Sequence, residues 1–109
     1  MIYEVNQANN LQLDITIEDD DGTLNIQGFD IYFKVKDGND RMFLKTLEDG
    51  ITITDAGNGK IEVFITKEDT NIDVGRYTYE LLVIDSEGNR YTAKQGGFRV
   101  LRSITKEVG

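Results

Sequence analysis

The chain has 109 residues, 39% of them hydrophobic and 29% charged, and twenty acidic against twelve basic side chains give a formal charge of −8. That length suits a single domain able to bury roughly two-thirds of its unfolded surface, so neither wholesale disorder nor an obligatory staple is implied. Cysteine and histidine are both absent, which removes disulfides, thiolate nucleophiles, the usual general base and the commonest transition-metal ligands together.

The acidic balance repels a phosphate backbone, and no Lys/Arg cluster offers a local exception, so nucleic acid is not an expected partner. No apolar run reaches the length of a membrane span, and Met1-Ile2-Tyr3-Glu4-Val5-Asn6 lacks the basic and apolar regions of a secretory signal. The absence of a signal is compatible with a cytoplasmic product and equally with a virion protein assembled inside a bacterium, and the missing cysteines suit synthesis in a reducing compartment.

Period-two alternation is the dominant pattern. From Leu11 to Glu18 every odd position is aliphatic and every even one polar, which predicts a strand with one face in a core. Ile31, Phe33 and Val35 repeat the pattern, as do Ile61, Val63 and Ile65. Strands are predicted near 2–6, 11–18, 29–36, 41–47, 51–54, 60–66, 76–84 and 90–101. Between them stand Gly/Asp/Asn clusters such as Asp19-Asp20-Asp21-Gly22, Asp37-Gly38-Asn39-Asp40 and Asp85-Ser86-Glu87-Gly88-Asn89, the last reading as the turn of a hairpin. A single helical turn is predicted at 66–70, where Thr66 caps the backbone and Asp69 answers three residues later. Gly96-Gly97 reads as a bulge in the last strand.

The spacing of Asp73, Gly75 and Tyr77 matches a tyrosine corner, in which the phenol bonds backbone upstream and fixes a crossover between sheets. With turn signals throughout and no long helical period, the fold class expected is an all-β, immunoglobulin-like antiparallel sandwich of about seven to eight strands. It would span residues 1–102 as one domain, with 103–109 a flexible tail or the start of a further region.

Chemistry has few places to reside. Ser86 and Ser103 lie in no nucleophile motif, and strands this short leave little room for a sugar cleft between paired carboxylates, so no enzyme and no cofactor is expected. The acidic loops fail as EF-hand sites: with Gly22, Gly59 or Gly88 at the sixth position, the first becomes Ile17, Thr54 or Val83, and with Gly59 the third is Ala56. A loop-end calcium site drawing on Asp19, Asp21, Asp55 or Asp85 stays open. The simpler reading is that these residues close their own turns.

By the same parity, Phe33, Tyr77, Tyr79 and Phe98 point inward, whereas Tyr32, Phe64 and Phe43 point outward. The strand to Ile84 is apolar on both faces near its end, at Leu81, Leu82, Val83 and Ile84. Tyr32, Phe43, Phe64, Leu82 and Ile84 are therefore the candidate protein-contact residues, since aromatic and aliphatic anchors of this kind are enriched in interfaces. The residues also fit a module that binds sugar or calcium, the outward aromatics stacking on a sugar face.

Three segments look like a recurrent phage pattern: Ile61 through Thr70, Val74-Gly75-Arg76-Tyr77-Thr78-Tyr79-Glu80-Leu81, and Gly96-Gly97-Phe98-Arg99-Val100. Together with the amphipathic opening strand, the acidic turn at Gly22 and Phe33-Lys34-Val35-Lys36, they resemble the N-terminal domain of phage baseplate upper proteins of Gram-positive hosts. The resemblance implies an immunoglobulin-like structural part of a virion tail, with other tail or baseplate proteins as partners and self-association compatible. It supplies no catalytic residue. Members of that family usually continue past this domain, whereas the present sequence ends at Gly109, so an excised domain and a short stand-alone protein are both open.

Overall fold

In the computed structural model, which describes residues 2–20 and 22–102, the alternating segments form strands in the predicted order. They are β1 (Ile2–Asn6), β2 (Leu11–Thr16), β3 (Glu18–Asp19), β4 (Gly22–Thr23), β5 (Asp30–Asp37), β6 (Asp40–Thr46), β7 (Ile51–Asp55), β8 (Lys60–Ile65), β9 (Gly75–Ile84) and β10 (Arg90–Leu101). The predicted tail, 103–109, lies outside the described residues, as does Asp21.

Two sheets face each other. The larger runs β1-β10-β9-β5-β6 and the smaller β2-β8-β7, while β3 and β4 form a two-residue hairpin of their own. β2, β8 and β7 occupy the places of immunoglobulin strands B, E and D, and β5, β9 and β10 those of C, F and G, with β6 added beside C. One strand departs from the antiparallel expectation: β1 pairs with β10 in parallel, from Ile2↔Gly97 to Asn6↔Leu101.

The core lies where the alternation places it. Leu13 and Ile15 of β2 and Ile61, Val63 and Ile65 of β8 meet Ile31, Phe33 and Val35 of β5 and Tyr79, Leu81 and Val83 of β9, all of them buried. Phe33 stacks on Tyr79 with ring centroids 5.4 Å apart, and Phe43 meets Phe98 edge-on at 5.8 Å. Phe43 is therefore a core residue, contrary to the outward position its parity predicts. The same parity carries Lys45 inward, where it is 4% exposed.

The bulge expected at Gly96-Gly97 falls elsewhere. The β9–β10 ladder shifts register between Thr92 and Lys94, while Gly96 and Gly97 pair regularly with Tyr79 and Thr78. Gly97 instead admits Ile2: a Cβ there would stand 3.2 Å from Ile2 Cγ1. The alternation that predicted one strand over 11–18 is also cut short. The Ile17 N–H donates to Gly59 O at 2.7 Å and the Leu24 N–H to Ile17 O at 3.0 Å, so the chain turns off into β3 and β4.

Both local motifs form as predicted. Tyr77 Oη donates to Asp73 O, which closes the tyrosine corner. Thr66 and Asp69 make a reciprocal capping box: the Thr66 N–H donates to Asp69 Oδ2 at 2.9 Å and the Asp69 N–H to Thr66 Oγ1 at 3.2 Å. The Thr70 N–H then reaches Thr66 O at 3.2 Å, completing a single helical turn.

Candidate functional site

Side chains of even number on β5 and β9 point away from the core, because those of odd number fill it. This puts Tyr32, Lys34 and Lys36 beside Arg76, Thr78, Glu80, Leu82 and Ile84 on the outer face of the five-stranded sheet. Tyr32 is directly opposite Leu82, Lys34 opposite Glu80 and Leu44, and Asp30 opposite Ile84. Cross-strand partners of this kind lie within contact distance on one face. Leu82 is only 9% exposed although it belongs to the outer face; its neighbours Tyr32 and Thr92 flank it on both sides.

Three of the five candidate contact residues thus come together: Tyr32, Leu82 and Ile84 form one apolar group at the Asp30 end of the sheet, joined by Leu44, which the sequence reading passed over. Phe43 is lost to the core. Phe64 is 45% exposed, but it stands on β8, opposite Gln12, on the outer face of the other sheet. The outward assignment of Phe64 holds, yet it cannot share a surface with Tyr32.

Electrostatics distinguish the two faces. Toward the far end of the larger sheet, the apolar group gives way to Lys34, Lys36, Arg76 and Arg99, against Glu4 and Glu80. Glu4 Oε2 lies 3.2 Å from Arg99 Nη1 and Glu80 Oε2 accepts a hydrogen bond from Thr92 at 3.0 Å. On a chain of charge −8, this face is locally basic. The opposite face carries Asp14 directly across from Glu62, and the hairpin of β3 and β4 adds Glu18 and Asp19 at one end. An open depression of about 290 Å³, lined by Asp30, Tyr32, Thr46, Leu47 and Glu48, borders the apolar group.

The acidic loops at Asp55 and Asp85 serve their own turns. Asp85 accepts the N–H groups of Glu87 and Asn89, both at 2.9 Å, and the Asn89 side chain at 3.0 Å. These bonds, that of the Asn89 side chain foremost, hold the Asp85 carboxyl below its usual range. Asp55 Oδ2 accepts from Asn58 Nδ2 at 2.8 Å. Among the described residues, no three carboxylates converge in a way that could hold a metal ion; Asp21 is not among them. None of the described helices is long and apolar enough to cross a membrane.

No protein family and no curated protein sequence matches the chain. Its structure, however, is similar to the solved N-terminal domain of phage TP901-1 ORF48, with a TM-score of 0.67 over 94% of this chain and 86% of that one, at 16% identity. The two domains share one fold. Two more distant likenesses are murine CRIg, at a TM-score of 0.43 and 11% identity over 94% of this chain and 92% of that one, and AggA of Escherichia coli, the major subunit of aggregative adherence fimbriae type I, at a TM-score of 0.37 and 13% identity over 94% of this chain and 89% of that one. The agreement with the phage domain answers the sequence resemblance at the level of fold: the segments that look like the phage pattern are β8 with its capping turn, β9 with its tyrosine corner, and the second half of β10.

Proposed function

We propose that this chain is a non-enzymatic structural module of a phage tail or baseplate, which works by seating other tail proteins on the outer face of its five-stranded sheet. The observation that carries the proposal is the group Tyr32, Leu44, Leu82 and Ile84 with Lys34, Lys36, Arg76 and Arg99 beside it. Apolar anchors bordered by charges in which basic groups predominate are the make-up of a contact surface, with the apolar part supplying affinity and the charges orientation. The likeness in sequence to baseplate upper proteins and the fold shared with a phage N-terminal domain support the setting. A virion is the corresponding location.

The test is made on phage particles from the cell that encodes the chain, purified by density gradient and analysed by peptide mass spectrometry. The wild-type chain is expected in fixed ratio to tail proteins. Tyr32→Ser with Leu82→Ser, shown by circular dichroism to keep its fold, is expected to drop out of the particles, while Phe64→Ser stays in. Intact, infectious particles lacking the chain would refute the tail role. Particles that retain the double variant would refute the surface.

A further inference from the structure

The two lateral sides of the sandwich are built differently. On one side lie β6 and β7, and both ladders there are interrupted: β5–β6 shifts register between Val35 and Lys36, and β7–β8 between Ile53 and Asp55. β6 also turns Lys45 inward, and Thr46 bridges to Gly50. Irregular register and an inward charge are devices that blunt a sheet edge against further pairing.

The other side has β2 at the edge of the smaller sheet. In a constant-type immunoglobulin sandwich another strand lies beside this position, but here β1 joins β10 in the opposite sheet. β2 pairs with β8 without a shift from Leu11↔Ile65 to Thr16↔Lys60. It holds no proline, no lysine and no bulge.

Two backbone hydrogen bonds fix which way its backbone faces. The Ile17 N–H donates to Gly59 O, and on the other flank of β8 the Phe64 N–H donates to Gly50 O, both at 2.7 Å. Backbone direction alternates along an antiparallel ladder, so Leu11, Leu13 and Ile15 bond to β8. The N–H and C=O groups of Gln12, Asp14 and Thr16 then face the open side. All three residues are exposed, and none makes a backbone bond to a loop or turn among the described residues.

Side chains along the edge define what would fit there. Leu13 and Ile15 are buried on the inner face, so a strand added alongside would continue the core with apolar residues at the same level. On the outer face Asp14 stands directly across from Glu62, a like-charge pair that destabilises the ladder. Gln12 Nε2 donates to Glu62 Oε1 at 3.3 Å, and among the described residues no basic side chain forms an ion pair with Asp14.

We propose that β2 receives an extended segment of a partner protein as an added strand, with apolar residues level with Leu13 and Ile15 and Lys or Arg level with Asp14. Backbone pairing would supply the affinity and the alternating side chains the selectivity. Charge favours such a partner over a second copy of this chain: Asp14 is the one charged residue of β2, and two copies at −8 each would bring acid to acid. The site is separate from the face of the five-stranded sheet, so either assignment can fail alone.

The probe is a capped peptide of alternating valine and lysine with threonine at each end, added to the isotope-labelled full chain, with amide exchange and chemical shifts followed by NMR. The expected result is slowed exchange at Gln12, Asp14 and Thr16, with β6 and β7 unaffected. Asp14→Lys, an exposed change that leaves the core untouched, should weaken this peptide by about fivefold and favour a valine–glutamate peptide instead. The proposal is overturned if those three amides stay unprotected at millimolar peptide, or if Asp14→Lys leaves the preference unchanged. Protection that grows with protein concentration in the absence of peptide would also overturn it, by assigning the edge to a second copy.

Discussion

The ammonium of Lys45 lies 2.5 Å from the carboxylate of Asp69, with the two side chains 5% and 18% exposed. This ion pair ties β6 of the larger sheet to the turn that follows β8 of the smaller one. The lysine stem runs beneath Gly50, where an added Cβ would stand 2.6 Å from Lys45 Cδ. Asp69 is held in turn by the Thr66 N–H and hydroxyl, both at 2.9 Å.

Removing one partner should cost far more than removing the charge altogether. Asp69→Ala leaves a buried ammonium with, among the described residues, only Asp49, 4.0 Å away and largely in solvent, and should lower unfolding stability by about 3 kcal/mol, at the low end for a broken buried pair because Asp69 keeps some contact with water. Lys45→Met fills the same channel without a charge and should change stability by less than about 1 kcal/mol once Asp69→Asn accompanies it. Urea unfolding of the three proteins checks both values. A loss under about 1 kcal/mol for Asp69→Ala would show the pair to be incidental.

Acid should weaken this clamp. Desolvation pushes the Asp69 carboxyl up, but the hydrogen bond from Lys45, the two from Thr66 and the lysine charge together outweigh it and leave the group below its ordinary value of 3.8. A carboxyl lowered in the folded state contributes stability that is present above its unfolded pKa and lost as pH falls through the folded one. The stability difference between the wild type and Asp69→Asn should therefore be constant from pH 7 to about 5 and shrink below about pH 4. Unfolding midpoints across that range measure it, and a difference that persists undiminished at pH 2 would contradict the account.

Tyr79 gives a prediction of opposite sign. Its hydroxyl is the one buried side-chain polar atom without a hydrogen-bond partner among the described residues, so Tyr79→Phe should be neutral or raise stability by about 1 kcal/mol. Burial, with the Tyr3 phenol beside it, pushes the Tyr79 pKa up to about 12. The unfolded chain gives up this proton near pH 10 while the folded one keeps it, so wild-type stability should fall between about pH 10 and 12 and fall less steeply in Tyr79→Phe. Alkaline unfolding, with phenolate absorbance as a second signal, separates the two proteins. Equal slopes would place the sensitivity elsewhere.

Gly59 should tolerate no side chain. It sits at φ 69°, and a Cβ would collide with the carbonyl oxygens of Ile17 and Leu24, the residues on either side of the excursion through β3 and β4. Gly59→Ala should cost at least about 2 kcal/mol, combining the left-handed penalty with displaced backbone. Gly88, also at positive φ but with open space around it, should lose only about 1 kcal/mol on the same change. Thermal melts of the two variants compare them, and equal losses would remove the steric part of the argument.

Much of the fold was legible because the core is built from strict alternation. Leu13, Ile15, Ile61, Val63, Ile31, Phe33 and Val35 are buried as their parity predicts, and the capping box and tyrosine corner form from spacing alone. The contact residues were less legible. In Met42-Phe43-Leu44-Lys45 apolar residues fall on both parities, and the usual rule that lysine faces water turns Phe43 outward with it. The protein does the reverse. Lys45 enters because Asp69, from a turn twenty-four positions along, is there to receive it, and Phe43 follows it onto the core face.

The sequence by itself determined the all-β class, the eight longer strands to within a residue or two, the main turns and the face each regular strand turns to the core, because these depend on period-two patterning and on the chemistry of neighbouring residues. It also determined that Tyr32, Leu82 and Ile84 point away from that core. Only the tertiary structure decided that these three meet on one face while Phe64 stands on the other, that β1 runs parallel beside β10, and that β2 is left at an edge. Such relations depend on which strands become neighbours, and that choice is made by burial and backbone pairing between segments far apart in the chain, which no local pattern records.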